Sequence, residues 1–293
     1  MPQIGRLFWL GALLAIGACT EVLELESEGM EPHLVITGVI STEAGYHMIE
    51  VASTAPYFGS EMPVNIDATR VVLDGVELKR VTTGKYETSG FFAAEPGRTY
   101  VLEVWIDYDE DGTDEYYTAS TTVPQLHELA SLRIESAMPS STPDIPFLLV
   151  MGFQDSIGED CYGASLYING EWYSNRILRY YVHSTAGYSQ DGEFLHIPVT
   201  DWILMKSLTW DNGGEKFLYV GDELTVELNA LSKEYYTYLL EAKTEKNQQY
   251  PLFSGPRGNV NGNISGGALG IFGSYTVSRK SVIIPECPSL PVR

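Results

Sequence analysis

The sequence predicts an all-β protein of two β-sandwich-like domains, the first immunoglobulin-like, with one short helix in the second. Three observations predict it. Short runs rich in Val, Ile, Thr and Tyr recur along the chain, the dipeptides Asp74-Gly75 and Asn169-Gly170 sit between such runs, and one segment near 232–247 spaces its apolar residues as a helix does. With 28 Gly and 15 Pro to punctuate 293 residues, the chain is long enough to bury two cores of ordinary size.

Residues 1–18 read as a leader. Arg6 supplies a positive start, and Leu7 to Ile16 form an apolar stretch too short to cross a bilayer as a helix. The stretch runs into Ile16-Gly17-Ala18-Cys19, which resembles the lipobox of bacterial lipoproteins. That resemblance implies cleavage before Cys19 and a thioether-linked diacylglycerol on its sulfur, with a third acyl chain on the freed amine in many bacteria. Two or more chains anchor a protein stably, whereas one is marginal. The plainer alternative is a secretory signal with Cys19 near the cut by chance. Residues 19–32 are acidic and poor in aromatics, as a lipidated tether would be.

The first domain is expected over 33–124. His33–Ser41 and His47–Thr54 are β-branched runs, and Thr69–Leu73 and Val76–Val81 flank Asp74-Gly75, a hairpin signal because both turn positions tolerate positive φ. Tyr100, Leu102, Val104 and Ile106 alternate with Val101, Glu103 and Trp105, the pattern of a half-buried strand, and Tyr116–Val123 should return beside it before Pro124. Seven short strands in this length suggest an immunoglobulin-like sandwich, without the Cys-Trp-Cys core of antibody domains.

The second domain, 125–293, should contain strands at Leu129–Ser136, Phe147–Phe153, Ala164–Ile168, Glu171–Tyr173, Ile177–His183, Phe194–Val199, Phe217–Val220, Glu223–Ala230, Ala268–Phe272 and Tyr275–Ile284. Ser232 is placed to cap a helix whose Tyr236, Leu239, Leu240 and Lys243 share one face, with Tyr235, Tyr236 and Tyr238 expected against a sheet. Core packing accounts for Trp172, Trp202 and Trp210 more simply than a sugar-stacking platform.

Removing the leader takes away Arg6 and no acid, so the formal charge of −21 becomes −22. A nucleic-acid partner is disfavoured, since phosphate binding needs a basic surface. Cys161 and Cys287 remain after Cys19, and an exported chain permits them to pair, although sequence cannot place their Cα atoms within bonding reach.

The sharpest local signal is Asp107-Tyr-Asp109-Glu-Asp111-Gly112-Thr113-Asp114-Glu115. Oxygen ligands at positions one, three and five followed by glycine are the pattern of an EF-hand Ca²⁺ loop; the Thr113 carbonyl and Glu115 fall at positions seven and nine. Thr118 stands where the bidentate Glu would be, and the flanks are strands, so the reading is a weak calcium clamp on a hairpin. A solvated acidic turn without an ion is the alternative.

Leu34-Val-Ile-Thr-Gly-Val-Ile40, Tyr117-Thr-Ala-Ser-Thr-Thr-Val-Pro124, Tyr235-Tyr-Thr-Tyr-Leu239 and Asn263-Ile-Ser-Gly-Gly-Ala-Leu-Gly-Ile-Phe272, in this order and spacing, resemble the Bacteroidota lipoproteins grouped as domain of unknown function 4249. The resemblance covers nearly the whole mature chain; the acidic insertion at Asp107–Glu115 departs from it. It implies a lipid-anchored outer-membrane protein, surface-exposed and often found beside TonB-dependent β-barrel transporters, and carries over no catalytic residue. The Gly-rich run after Arg257 lacks the Gly-Lys-Ser/Thr of a P-loop, and the sequence has neither a Gly-x-Ser-x-Gly elbow nor His-Glu-x-x-His. The expected role is therefore non-enzymatic: an accessory to a transporter, or alternatively a carbohydrate- or peptide-binding adhesin.

Overall fold

A computed structural model of the chain describes residues 32–55, 63–136, 147–173, 181–184, 192–199, 218–247 and 260–286. The leader, Cys19 and Cys287 lie outside them, as do Trp202 and Trp210. Within the described residues the protein is all-β and sandwich-like, with one helix.

The first half contributes β1 (Leu34–Ser41), β2 (Met48–Ser53), β3 (Val64–Asn65), β4 (Arg70–Leu73), β5 (Val76–Glu77), β6 (Lys79–Thr82), β7 (Lys85–Glu87), β8 (Thr99–Ile106) and β9 (Glu115–Thr122). The second contributes β10 (Leu129–Ser136), β11 (Phe147–Gln154), β12 (Cys161–Ile168), β13 (Glu171–Trp172), β14 (Tyr181–Ser184), β15 (Phe194–Pro198), β16 (Glu223–Leu231), α1 (Lys233–Asn247) and β17 (Leu269–Ile283).

One ten-stranded sheet runs through both halves in the order β13-β12-β16-β17-β1-β2-β7-β6, with β14 beside β12 and β3 beside β2. Its centre is the parallel pair β1 and β17, in register from Val35 opposite Leu269 to Ser41 opposite Tyr275. Leu228 pairs with Ser278, so by strand alternation Val226, Leu228 and Ala230 share a face with Phe272, Ser274, Thr276 and Ser278. Two smaller sheets pack on that face. β5-β4-β8-β9 closes a first core of Ile36, Ile40, Ile49, Val51, Leu102, Val104, Ile106 and Phe272, and β10-β11-β15 closes a second built on Leu149, Met151, Phe153, Tyr162, Val226 and Leu228. Strand β17 thus lies late in the sequence yet supplies Phe272 to the first core.

Between the cores the same face of β17 turns polar. Ser274 Oγ shares a hydrogen bond with Thr121 Oγ1 (2.9 Å) and donates to the Thr122 carbonyl (3.2 Å), while Ser278 Oγ accepts the Leu129 N–H (2.8 Å). These hydroxyls, buried at Thr121 and Ser274 and part-buried at Ser278, satisfy polar groups where β9 ends and β10 begins, which would otherwise lose their partners at a cost.

Both dipeptide turns form as expected, with Asp74 and Gly75 at φ 50° and 81° and Asn169 and Gly170 at 51° and 80°. The expected strand Val76–Val81 divides instead. Leu78 is buried at a corner and its N–H donates to Val71, so β5 stays beside β4 while β6 crosses to the long sheet. The two strands expected at the end are one, β17, because Gly273 and Ser274 continue the ladder rather than turn. Over its described residues 218–220, Phe217–Val220 is not a strand: the Tyr219 N–H is held by the Asp222 carboxylate (2.8 Å) in a turn.

Ser232 stands where the helix begins, its carbonyl accepting the Tyr236 N–H, but its Oγ accepts the Ser274 N–H and ties α1 to β17. The helix meets the opposite face of the long sheet. Tyr235 stacks on Tyr275 (6.4 Å between centroids, 26° between planes) and lies over Gly273, and burial pushes its phenol up to about 12. Leu240 is 38% exposed, so the contact face centres on Tyr235 rather than on the expected Tyr236–Leu239–Leu240–Lys243 stripe.

On this face Arg279 bridges Glu43 and the buried Glu227, which also accepts from the Tyr167 hydroxyl (3.2 Å) and the Asn229 amide (3.0 Å). Arg279→Met strands Glu227 without its cation, and we expect a loss of about 2 kcal/mol in urea denaturation. That is below the range for fully buried pairs because 41% of the Arg279 side chain stays in water. Hydrogen bonding from Arg279 holds the Glu43 carboxyl below its ordinary value of 4.5. A depressed folded pKa stabilises above the unfolded value and is lost as pH falls through the folded one, so the variant should also lose part of the native acid sensitivity below about pH 4.5.

Candidate functional site

The β8–β9 hairpin ends in the acidic loop. Strand pairing runs to Ile106 opposite Glu115, so the eight residues between them must reverse the chain using their own side chains. Asp107 Oδ2 accepts the Gly112 N–H (3.0 Å), Asp109 Oδ1 that of Asp111 (3.2 Å) and Asp111 Oδ1 that of Thr113 (2.7 Å). Glu110 and Gly112 take positive φ, 58° and 89°. The chain winds around its carboxylates as a result, and one oxygen from each of Asp107, Asp109 and Asp111 lies within 4.8 Å of the others.

Glu115 is not in that group; its Oε2 accepts the Tyr108 N–H (2.8 Å). Thr118 lies on β9, its hydroxyl donating to the Leu102 carbonyl (2.9 Å). The neighbourhood is anchored on both sides, by Thr69 Oγ1 donating to Asp114 (2.6 Å) and by the Tyr108 hydroxyl donating to the Pro32 carbonyl (2.6 Å).

A second feature has no counterpart in the sequence motifs. At the open side of the first sandwich, where β5 hands over to β6, lies a cavity of about 780 Å³. Tyr100, Leu73 and Leu78 are buried residues in its wall, and Tyr46 and Phe91 stand on it 69% and 94% exposed. Tyr46 lies against Gly90, where a Cβ would sit 2.7 Å from the ring. Its charges are paired: Arg98 with Asp74 (2.5 Å) and Glu95 (3.1 Å), Lys79 with Glu87 (3.5 Å), and Glu77 with Arg70 (3.2 Å). The signal that could have found it is the Ser89-Gly-Phe-Phe92 run, too apolar for a solvated turn.

A buried polar cluster lies at the edge of the second core. The Tyr162 hydroxyl donates to Asp155 Oδ1 (2.6 Å), and His127 Nδ1 is 2.9 Å from the Gln154 carbonyl with Nε2 3.4 Å from Ser156 Oγ. Burial, with Asp155 alongside, drives the Tyr162 pKa far up, so the phenol stays a donor. Among the described residues the imidazole beside Ser156 is oriented by the Gln154 carbonyl, with Nδ1 2.9 Å from it. Cys161 is buried on β12, and its expected partner Cys287 is beyond the described residues. Trp172 is not core, being 45% exposed at the sheet edge.

The Gly-rich segment near the end is structural. Asn263 clamps Phe272 through both its N–H (2.9 Å) and carbonyl (2.8 Å), and Ser265 bonds Thr118, so the segment covers the outer edge of β9.

The model of one protein family, described as domain of unknown function DUF4249, matches residues 20–281. The chain belongs to this family. The match spans both cores and the Asn263 clamp, so the DUF4249 region includes the shared ten-stranded sheet. No curated protein matches the chain. Among the described residues of this DUF4249 protein no helix is long and apolar enough to cross a membrane.

Proposed function

We propose that this DUF4249 protein is a lipid-anchored, non-enzymatic capture component of a bacterial outer membrane, working beside a TonB-dependent β-barrel transporter. The single observation that carries the capture reading is the cavity of about 780 Å³, with exposed Tyr46 and Phe91 over a buried apolar wall. Open concave sites with aromatic walls and a few polar groups suit ligand retention. The ion pairs of Arg98, Lys79 and Glu77 leave these groups engaged rather than reserved for acid–base chemistry. Anchoring rests on Ile16-Gly17-Ala18-Cys19 after the apolar leader.

Affinity purification from native outer membrane tests the partnership; recovery of a barrel transporter in stable proportion is the expected result. Mass spectrometry of the natural N-terminus tests the anchor, with a diacylglyceryl-modified Cys19 expected. A bare thiol there, or a retained leader, removes the envelope assignment. The stand-alone adhesin is favoured instead if no barrel is recovered and the isolated chain binds tightly on a glycan array.

A further inference from the structure

We infer that the cavity beside Tyr46 and Phe91 takes a neutral saccharide, which names the ligand class of the capture reading above and rests on it. A sugar ring presents a face of C–H bonds and a rim of hydroxyls that both donate and accept. Its site therefore combines an aromatic surface with closely spaced donors and acceptors.

The aromatic surface is fixed by the backbone. An isolated antiparallel bridge joins Gly45 to Phe92, the Gly45 N–H donating to the Phe92 carbonyl (3.0 Å), and the Thr88 N–H donates to the His47 carbonyl (3.1 Å). Tyr46, between these two bonds, is held beside the Ser89–Phe91 turn, which the Phe92 N–H closes on the Ser89 carbonyl (3.0 Å). Phe92 packs edge-on to Tyr100 (5.7 Å) and His47 (5.3 Å), and Phe91 before it is left in water. The Tyr46 ring lies against the Gly90 backbone, since a Cβ there would come within 3.0 Å of three atoms of the phenol. The ring is thus seated on one side and open on the other, so the two residues offer a positioned apolar surface that the fold itself does not bury.

The polar groups sort ligands by charge. The carboxylates of Asp74, Glu77, Glu87 and Glu95 outnumber the cations Lys79 and Arg98 in the wall, which repels an anion. Arg98 is moreover engaged three ways, by Asp74, by Glu95 and by the Tyr100 ring under its guanidinium (4.9 Å). A cation gains little, because it must compete with Arg98, Lys79 and Arg70 for the same carboxylates. A neutral ligand meets neither obstacle, and each ion pair sets carboxylate acceptors beside N–H donors, as adjacent hydroxyls require. At about 780 Å³ the cavity suits a drug-sized ligand, which for a saccharide is about two or three rings. An extended peptide draws its specificity from pockets for alternate side chains, whereas the mouth here offers two exposed rings.

The exported chain, applied to an array of neutral, sialylated and sulfated glycans and to an array of extended peptides, tests the class, and titration calorimetry with the best-bound neutral glycan tests the site. Binding to neutral glycans is expected. Tyr46→Ala and Phe91→Ala should each weaken it by about tenfold or more, with Tm unchanged because both side chains are exposed. Gly90→Ala keeps both rings but unseats Tyr46, so it should weaken binding severalfold, and Ile157→Ala, a similarly exposed side chain outside the cavity, should leave binding unaltered. No neutral glycan bound, a preference for sialylated or sulfated glycans, binding to peptides alone, or neutral binding indifferent to Y46A, F91A and G90A would each overturn the proposal. Saturation-transfer NMR on the unsubstituted chain decides should a variant not fold: transfer from aromatic protons to the sugar C–H protons supports the site, and none overturns it. The capture reading fails separately. A barrel recovered with a silent array removes the saccharide and leaves the partnership, and glycan binding without a barrel does the reverse.

Discussion

Phe272→Ala should destabilise the protein by about 3–5 kcal/mol, the cost of emptying a fully buried aromatic site. Phe272 has no exposed surface and sits in the first core among Ile36, Ile49 and Leu102, although it lies 236, 223 and 170 residues beyond them in the chain. The reason is the parallel pairing of β17 with β1, which puts Phe272 level with Gly38. Gly38 has no side chain there, and an added Cβ would sit 2.2 Å from Ile49 Cδ1 and 3.6 Å from the Phe272 ring. Hydrogen exchange read residue by residue distinguishes this arrangement from one in which the C-terminal strand serves the second core alone. Faster exchange should appear in β1 and β8 of the variant. Loss of protection confined to β16 and β12 would contradict the shared sheet.

Gly270→Ala should cost about 3–4 kcal/mol, from two sources that a control separates. Gly270 has φ of 107°, where an L side chain is strained, and a Cβ there would lie 2.1 Å from the Ile36 carbonyl oxygen. Backbone cannot swing aside as the end of a side chain can, so β1 and β17 must part. Gly267→Ala also meets a positive φ, 82°, but has nothing within 4 Å. We expect Gly267→Ala to cost about 1 kcal/mol, the strain alone, and the difference between the two Tm values to report the backbone contact. Equal losses would mean that the close approach of β1 and β17 does not matter to stability.

Local patterns were legible wherever a short-range force decides the outcome. The two-residue turns at Asp74-Gly75 and Asn169-Gly170, the alternation of Tyr100 to Ile106 and the position of α1 follow from backbone sterics and from which side chains avoid water. The acidic loop was legible for the same reason: Asp107, Asp109 and Asp111 converge because near neighbours in the chain hydrogen-bond each other's backbone. Glu115, expected beside that group, lies outside the three that meet, and spacing does not reveal that the Tyr108 N–H takes its Oε2.

By itself the sequence determined the all-β class, most strand positions among the described residues, and a loop in which the carboxylates of Asp107, Asp109 and Asp111 come together. Only the tertiary structure decided that β17 joins β1, that Leu78 turns a strand from one sheet into another, and that Ser274, Thr276 and Ser278 form a polar seam between two cores. The cavity beside Tyr46 and Phe91 belongs to this second set, since its walls come from segments around positions 46, 73–79, 87–95 and 98–100. Turns and alternation are set by interactions over a few residues, whereas strand order and cavities depend on pairings between distant segments, chosen by how well whole faces bury together.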